Sequence, residues 1–157
     1  MTIQISTSAL QVKMSVFKRI YLEAAEQYEK IEGYSAQSFS FQDVPLFSEA
    51  KIGIRQDFDE EVGPLEFVVN VTLATVEPNE EHQHDQCPYD FDIEAQIWIE
   101  VASNIPVSER IGLVETNGTS LAIGVIREQI INLSSRSIFG PLIIPTLRVA
   151  VKEVGES

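Results

Sequence analysis

FVVNVTLA at Phe67–Ala74 and FDIEAQIWIEV at Phe91–Val101 decide the fold. In the first stretch and the residues before it, Leu65, Phe67, Val69, Val71 and Leu73 alternate with Glu66, Val68, Asn70, Thr72 and Ala74. In the second, Phe91, Ile93, Ala95, Ile97, Ile99 and Val101 alternate with Asp92, Glu94, Gln96, Trp98 and Glu100, with Asp90 on the polar side. A strict period of two is that of a strand with one face in a core. The two strands are separated by the polar interval Glu77 to Pro88, which predicts an antiparallel hairpin.

Upstream, Lys51 to Phe58 reads as another strand, with Ile52, Ile54 and Phe58 on one side; the run DFDEEVGP closes it with charge, Gly63 and Pro64. From Leu10 to Ala24 the even positions Leu10, Val12, Met14, Val16, Ile20 and Leu22 are apolar, which predicts a first strand broken at Phe17 and Lys18. Ala25 to Val44 is mixed and reads as a long connection. Downstream the period changes. Ser108-Glu109-Arg110 opens a short helical turn, and Asn117-Gly118-Thr119 precedes SLAIGVIREQIINLSS at Ser120–Ser135, where Ala122, Ile126, Ile130 and Leu133 recur at helical spacing. Leu121, Ile123 and Val125 make the first half of this helix apolar nearly all round, as expected for burial against the sheet and a further surface. Gly140-Pro141 stops it, and the tail from Leu142 is expected to run along the core. Strands followed by one main helix predict an α+β class: an antiparallel four-stranded sheet with the helix on one face.

The chain has 157 residues, the size of a single domain, and neither an internal repeat nor a low-complexity segment. Its formal net charge of −13 repels phosphate backbones and anionic lipid, so nucleic acid and direct membrane insertion are excluded as expectations, and a basic protein surface is the better match. No basic leader followed by an apolar run opens the sequence, and the single cysteine forms no internal disulfide; both agree with a cytoplasmic location.

EEHQHDQC, Glu80–Cys87, holds both histidines and the cysteine. His82, His84 and Cys87 are zinc-type ligands, with Asp85 or Glu81 to complete four. Their spacing matches no common structural zinc motif, and no second cluster exists elsewhere, so a solvated hairpin tip is the expected state, with no cofactor. Both histidines lie in this one loop, which also argues against a Ser-His-Asp hydrolase; no enzyme is expected.

IREQIINLSSRSIFGPLIIP, Ile126–Pro145, resembles the corresponding stretch of the SecB export-chaperone family at Arg127-Glu128, Ser135-Arg136, Phe139, Leu142 and Ile144. The hairpin of FVVNVTLA and FDIEAQIWIEV fits the same family, and FKRIYLEAA, Phe17–Ala25, is similar to its first strand; the resemblance spans roughly residues 10 to 149. It implies an ATP-independent holdase that binds unfolded or preprotein clients along apolar grooves for export, working as a tetramer, a dimer of dimers. A shortened SecB-like protein dedicated to one partner, such as an antitoxin, is the alternative, and a metal-binding interaction module is a third.

Several site residues follow from the resemblance as expectations. Client binding falls to Phe39, Phe41, Phe58 and Trp98. Docking of a SecA-type motor on the acidic sheet face falls to Glu23, Asp90 and Asp92, with Arg19 standing where the family usually has an acid. Ile93, Ala95 and Ile97 are expected beneath the helix or across subunit contacts. Gly124 replaces the proline common in the family's helix, and the longer members' second helix and zinc-binding tail have no counterpart before Ser157.

Overall fold

In the computed structural model, which describes residues 1–150, four strands form one antiparallel sheet in the order β1-β4-β3-β2. They are β1 (Leu10–Ala24), β2 (Leu46–Ile54), β3 (Glu66–Thr75) and β4 (Tyr89–Val101). The helices are α1 (Glu26–Glu29), α2 (Val107–Leu113) and α3 (Thr119–Ser134), with a 3₁₀ turn at Ala36–Ser38 and a π turn at Val114–Gly118. The expected α+β architecture is what the chain adopts. Its inner sheet face, under α3, carries Phe67, Val69, Val71 and Leu73 of β3 and Phe91, Ile93, Ala95, Ile97 and Ile99 of β4, all buried. Against them α3 sets Ala122, Ile126 and Ile130 of the expected stripe together with Ile123, while Leu133 of that stripe is half-buried.

β1 has the expected bounds and an irregularity at the expected Phe17-Lys18 break, but its facing and two other boundaries differ from expectation. In β1 the even apolar residues do not share a face. The register shifts between Val12 and Met14 and again between Phe17 and Arg19, so Leu10 and Val12 lie inward opposite Val101 and Ile99, whereas Met14 and Val16 lie outward opposite Trp98 and Gln96. Phe17, Ile20 and Leu22 then return to the inner side. Each bulge inserts a residue and inverts the facing of the residues after it.

The second strand starts at Leu46 and ends at Ile54, not at Lys51 and Phe58; its pairing partner β3 sets its length, from Leu46 opposite Thr75 to Ile54 opposite Phe67. Phe58 lies beyond the strand. The main helix, finally, is not opened by Asn117-Gly118. α2, the π turn and α3 run on from Val107 to Ser134, and Gly118 itself has helical φ and ψ. Gly118 is needed for contact, not for a cap: a Cβ there would meet Ile99 Cδ1 at 2.8 Å, Val114 Cγ1 at 3.2 Å and Val69 Cγ2 at 3.3 Å.

After α3 the chain turns through Ser135–Phe139 and then runs on from Gly140 without joining a strand ladder. Side chains hold it instead. Tyr89 Oη donates to the Gly140 carbonyl at 2.9 Å and accepts from the Phe139 amide at 2.9 Å. Ser134 Oγ accepts from the Leu142 amide at 2.8 Å, and Arg127 donates to the Ile144 carbonyl from Nε at 3.1 Å and Nη2 at 2.8 Å. Leu142 and Ile144 are fully buried by these tethers. The expectation that the tail runs along the core is met over the described part, while residues 151–157 lie outside the described residues.

Candidate functional site

α3 lies across β3, β4 and β1, and between Leu46 and Ile52 the inner side of β2 carries only the small residues Ser48 and Ala50, opposite Leu73 and Val71, which are exposed. The result is a groove of about 420 Å³. Its floor is Ser48, Ala50, Val71 and Leu73, one wall is Thr119 and Ile123 of α3, and Phe41 and Leu46 close one end. Pro145, Leu147 and Val149 of the extended tail form the remaining side. Glu49 and Arg148 contribute charge at the rim. β2 is an edge strand, so its outer row of N–H and C=O groups has no ladder partner beside this groove.

The four aromatic candidates fall in three places. Phe39 and Phe41 meet edge to face, centroids 5.0 Å apart at 89°, and Phe41 lines the groove. Phe58 is 41% exposed in a separate depression with Arg55, Asp57 and Val62 beyond β2. Trp98 is half-buried on the outer face of β4, between Met14 of β1 and Val68 of β3. It does not reach the groove, because alternation sends it to the opposite face from Ile97 and Ile99.

The outer face is also where the acidic candidates lie. Asp92 pairs with Arg19 Nη2 at 2.9 Å, and Arg19 Nη1 donates to Glu94 at 3.3 Å. Lys18 and Lys13 pair with Glu94 and Glu100 at 3.4 Å and 2.7 Å. The middle of the face is therefore a lattice of paired charge. Uncompensated acid collects at one end, where Glu23 lies opposite Asp90 and accepts from Tyr21 Oη. Partial burial, then the charges of Glu77 and Glu23, push the Asp90 carboxyl up, against an opposing hydrogen bond from Gln86.

Ile93, Ala95 and Ile97 have no exposed surface; they are packed beneath α3, so a subunit contact reaches them only through the elements that cover them. In the loop between β3 and β4, Cys87 turns into the core and burial pushes its thiol up to about 12, the reverse of what a thiolate ligand needs. His84 Nδ1 donates to the Asp85 carbonyl at 2.9 Å. Among the described residues no three His, Cys, Asp or Glu side chains are grouped to hold a metal ion.

Sequence reasoning missed Arg110. It is 3% exposed, and it donates from Nε to the Ile105 carbonyl at 2.9 Å, from Nη1 to Val62 at 2.8 Å and Pro64 at 3.1 Å, and from Nη2 to Ser103 at 3.3 Å. This one side chain ties the β2–β3 and β4–α2 connections to the helical rod. Nothing in the sequence distinguishes it from a solvated helix arginine, because its partners are main-chain oxygens and not a carboxylate.

An open four-stranded sheet with one main helix and an apolar groove at an unpaired edge is the class of molecule these observations define. No family model matches the sequence, and no curated protein matches it either. Among solved structures, a protein of unknown function from Streptococcus agalactiae is similar with a TM-score of 0.51 at 12% identity, covering 89% of this chain and 97% of that one. A SecB-like chaperone from Mycobacterium tuberculosis, in complex with a peptide from the HigA1 antitoxin, aligns over 94% of this chain and 93% of its own at 16% identity, with a TM-score of 0.42. The Streptococcus likeness is one of fold. Among the described residues no helix is long and apolar enough to cross a membrane.

Proposed function

We propose that this chain is a SecB-type holdase, which binds unfolded polypeptide without ATP and performs no covalent chemistry. The groove beside β2 carries the reading. An extended client segment laid along it sets apolar side chains on Val71, Leu73 and Ile123, while its main chain faces the unpaired edge of β2. Burying apolar client surface is worth roughly 25 cal/mol per Å², and the attraction is not directional, so many sequences fit. A net charge of −13 further favours cationic clients. The same reading takes the protein to be a cytoplasmic homo-oligomer, a tetramer of paired dimers, with Leu121 and Val125 on the outward side of α3 as contact surface.

The client class divides into two. A general export holdase hands its client to a SecA-type motor through an acidic face, whereas a dedicated holdase serves one partner, such as an antitoxin. The ion pair of Arg19 with Asp92 favours the dedicated form, since it neutralises one of the three acids such a motor would use and leaves it Glu23 and Asp90 alone.

The test is suppression of aggregation of a chemically unfolded protein, without ATP, by the wild-type chain and by Ala50→Glu, which puts a charge on the groove floor. Suppression near stoichiometry, at least tenfold weaker in the variant, is the expected result. No suppression by a well-folded wild type, together with no binding of any unfolded peptide, overturns the holdase reading.

A further inference from the structure

We infer that the segment Pro145–Ala150 is a built-in occupant of the cleft between α3 and β2, of which this groove is the part left open, and that a client binds by displacing it. The inference rests on the holdase reading. The tail changes character at Ile144. Up to that residue it is a structural part of the core: Leu142 and Ile144 are fully buried, and the Ser134 and Arg127 hydrogen bonds hold the main chain at both positions. Beyond it, through Ala150, no backbone group makes a hydrogen bond among the described residues, and none of the side chains is fully buried. Leu147 and Val149 are half-buried toward the groove, while Thr146, Arg148 and Ala150 are exposed. That is the arrangement of a bound extended peptide, with alternate side chains inserted and nothing else fastened.

The segment reports the kind of sequence the cleft takes: alternating aliphatic residues with an intervening cation, here Arg148, whose side chain reaches a rim that also holds Glu49. It also sets a threshold. A cleft that is occupied from within lowers the apparent affinity of every client by the fraction of chains in which it is open. Local opening of a segment without hydrogen bonds comes from the low end of the stability range, so the occupant exchanges without unfolding the sheet.

The experiment measures binding of a fluorescein-labelled peptide, Ser-Pro-Thr-Leu-Arg-Val-Ala-Ser, to the full chain and to a Leu147→Asp, Val149→Asp double variant. The variant is expected to bind roughly tenfold more tightly, as when about one wild-type cleft in ten is open. In parallel, methyl NMR follows Leu147 and Val149 in the unmodified chain as a long unfolded client, reduced and carboxymethylated α-lactalbumin, is added. Their signals are expected to move to free-chain positions while those of Ile126 stay. If the wild type binds either probe, but the double variant binds no more tightly and the two methyl signals hold their places at saturation, the built-in occupant is refuted and the holdase reading stands. Should the double variant fail to fold, the methyl measurement alone decides. Binding of neither probe by either protein refutes both.

Discussion

Arg110→Ala removes a buried cation that joins three pieces of chain. The guanidinium makes four hydrogen bonds to main-chain carbonyls at 2.8 to 3.3 Å and is 3% exposed. A hydrogen bond to a charged group contributes about 1.5–3 kcal/mol, so simple addition gives about 6–12 kcal/mol. Two effects reduce that sum. The guanidinium has no carboxylate partner among the described residues, so its own desolvation offsets several kcal/mol, and water entering the truncated site re-satisfies some of the carbonyls. About 3–4 kcal/mol of net loss remains, a large part of the 5–15 kcal/mol typical of a domain. Urea unfolding followed by Trp98 emission measures it: the midpoint should fall by about 1.5 M or more for a slope near 2 kcal/mol/M. Arg110→Lys, which places one compact donor where a planar fork spans four oxygens, should recover less than half of the loss. A midpoint within 0.5 M of wild type (about 1 kcal/mol) for Arg110→Ala would refute the view that this residue holds the connections to the rod.

Gly118→Ala forces a methyl within 2.8 Å of Ile99 Cδ1 and should cost about 1–3 kcal/mol in the same assay, with Gly124→Ala, where a Cβ meets nothing within 4 Å, as the neutral or stabilising control. Burial raises Cys87 to about 12 and, with the help of Tyr28, Tyr34 to about 12. Both are acids whose folded values exceed their unfolded ones of 9.0 and 10.0, so the folded state holds more protons and stability should fall as pH rises from about 9 toward 12; a flat profile there would contradict this. The Cys87 thiol should also resist Ellman's reagent at pH 8 until the protein unfolds. Asp90 is raised as well, so its ionised form disfavours the fold at neutral pH. Asp90→Asn should add about 0.5 kcal/mol at pH 7 after solvent screening, and the gain should vanish below pH 3.8; an equal gain at pH 3 would exclude ionisation as its source.

Strands β3 and β4 were legible because each has one fully apolar face and a central place in the sheet, where a slipped register would expose the whole core. The bounds of β1 and its break at Phe17-Lys18 were legible too, but its facing was not, for the opposite reason. As an edge strand exposed on both sides it carries apolar residues inward and outward, so Val12 and Met14 look alike in sequence although a bulge sends them to different faces. The groove was half legible. Phe41 is conspicuous, but the feature that opens the space is smallness: Ser48 and Ala50 on β2 give no signal until the helix is seen to lie elsewhere. Trp98 drew notice as an aromatic, and the alternation already placed it on the face away from the core, where it lies. The loop at His82 attracted attention through residue type alone, and Cys87 left that loop for the core.

The π turn at Val114–Gly118 governs how this rod tolerates change in length. Every fourth residue, from Arg110 through Val114, Gly118, Ala122, Ile126 and Ile130 to Ser134, is buried. In a regular helix each such step overshoots a full turn by about 40°, and the stripe would wind off the sheet. One wide turn takes up a residue and brings the two halves back into phase. Deleting Thr116 would close that turn to a regular one with the two halves still in phase, whereas deleting Gly124 from the regular part of α3 would rotate everything after it by about 100°, carrying Ile126 and Ile130 away from β3 and β4. The cooperative unfolding transition should vanish in the Gly124 deletant and survive loss of a residue from the exposed stretch Glu77–Gln83. Reading frame, in the sense of angular phase, is thus fixed more tightly in this helix than anywhere in the loops it crosses.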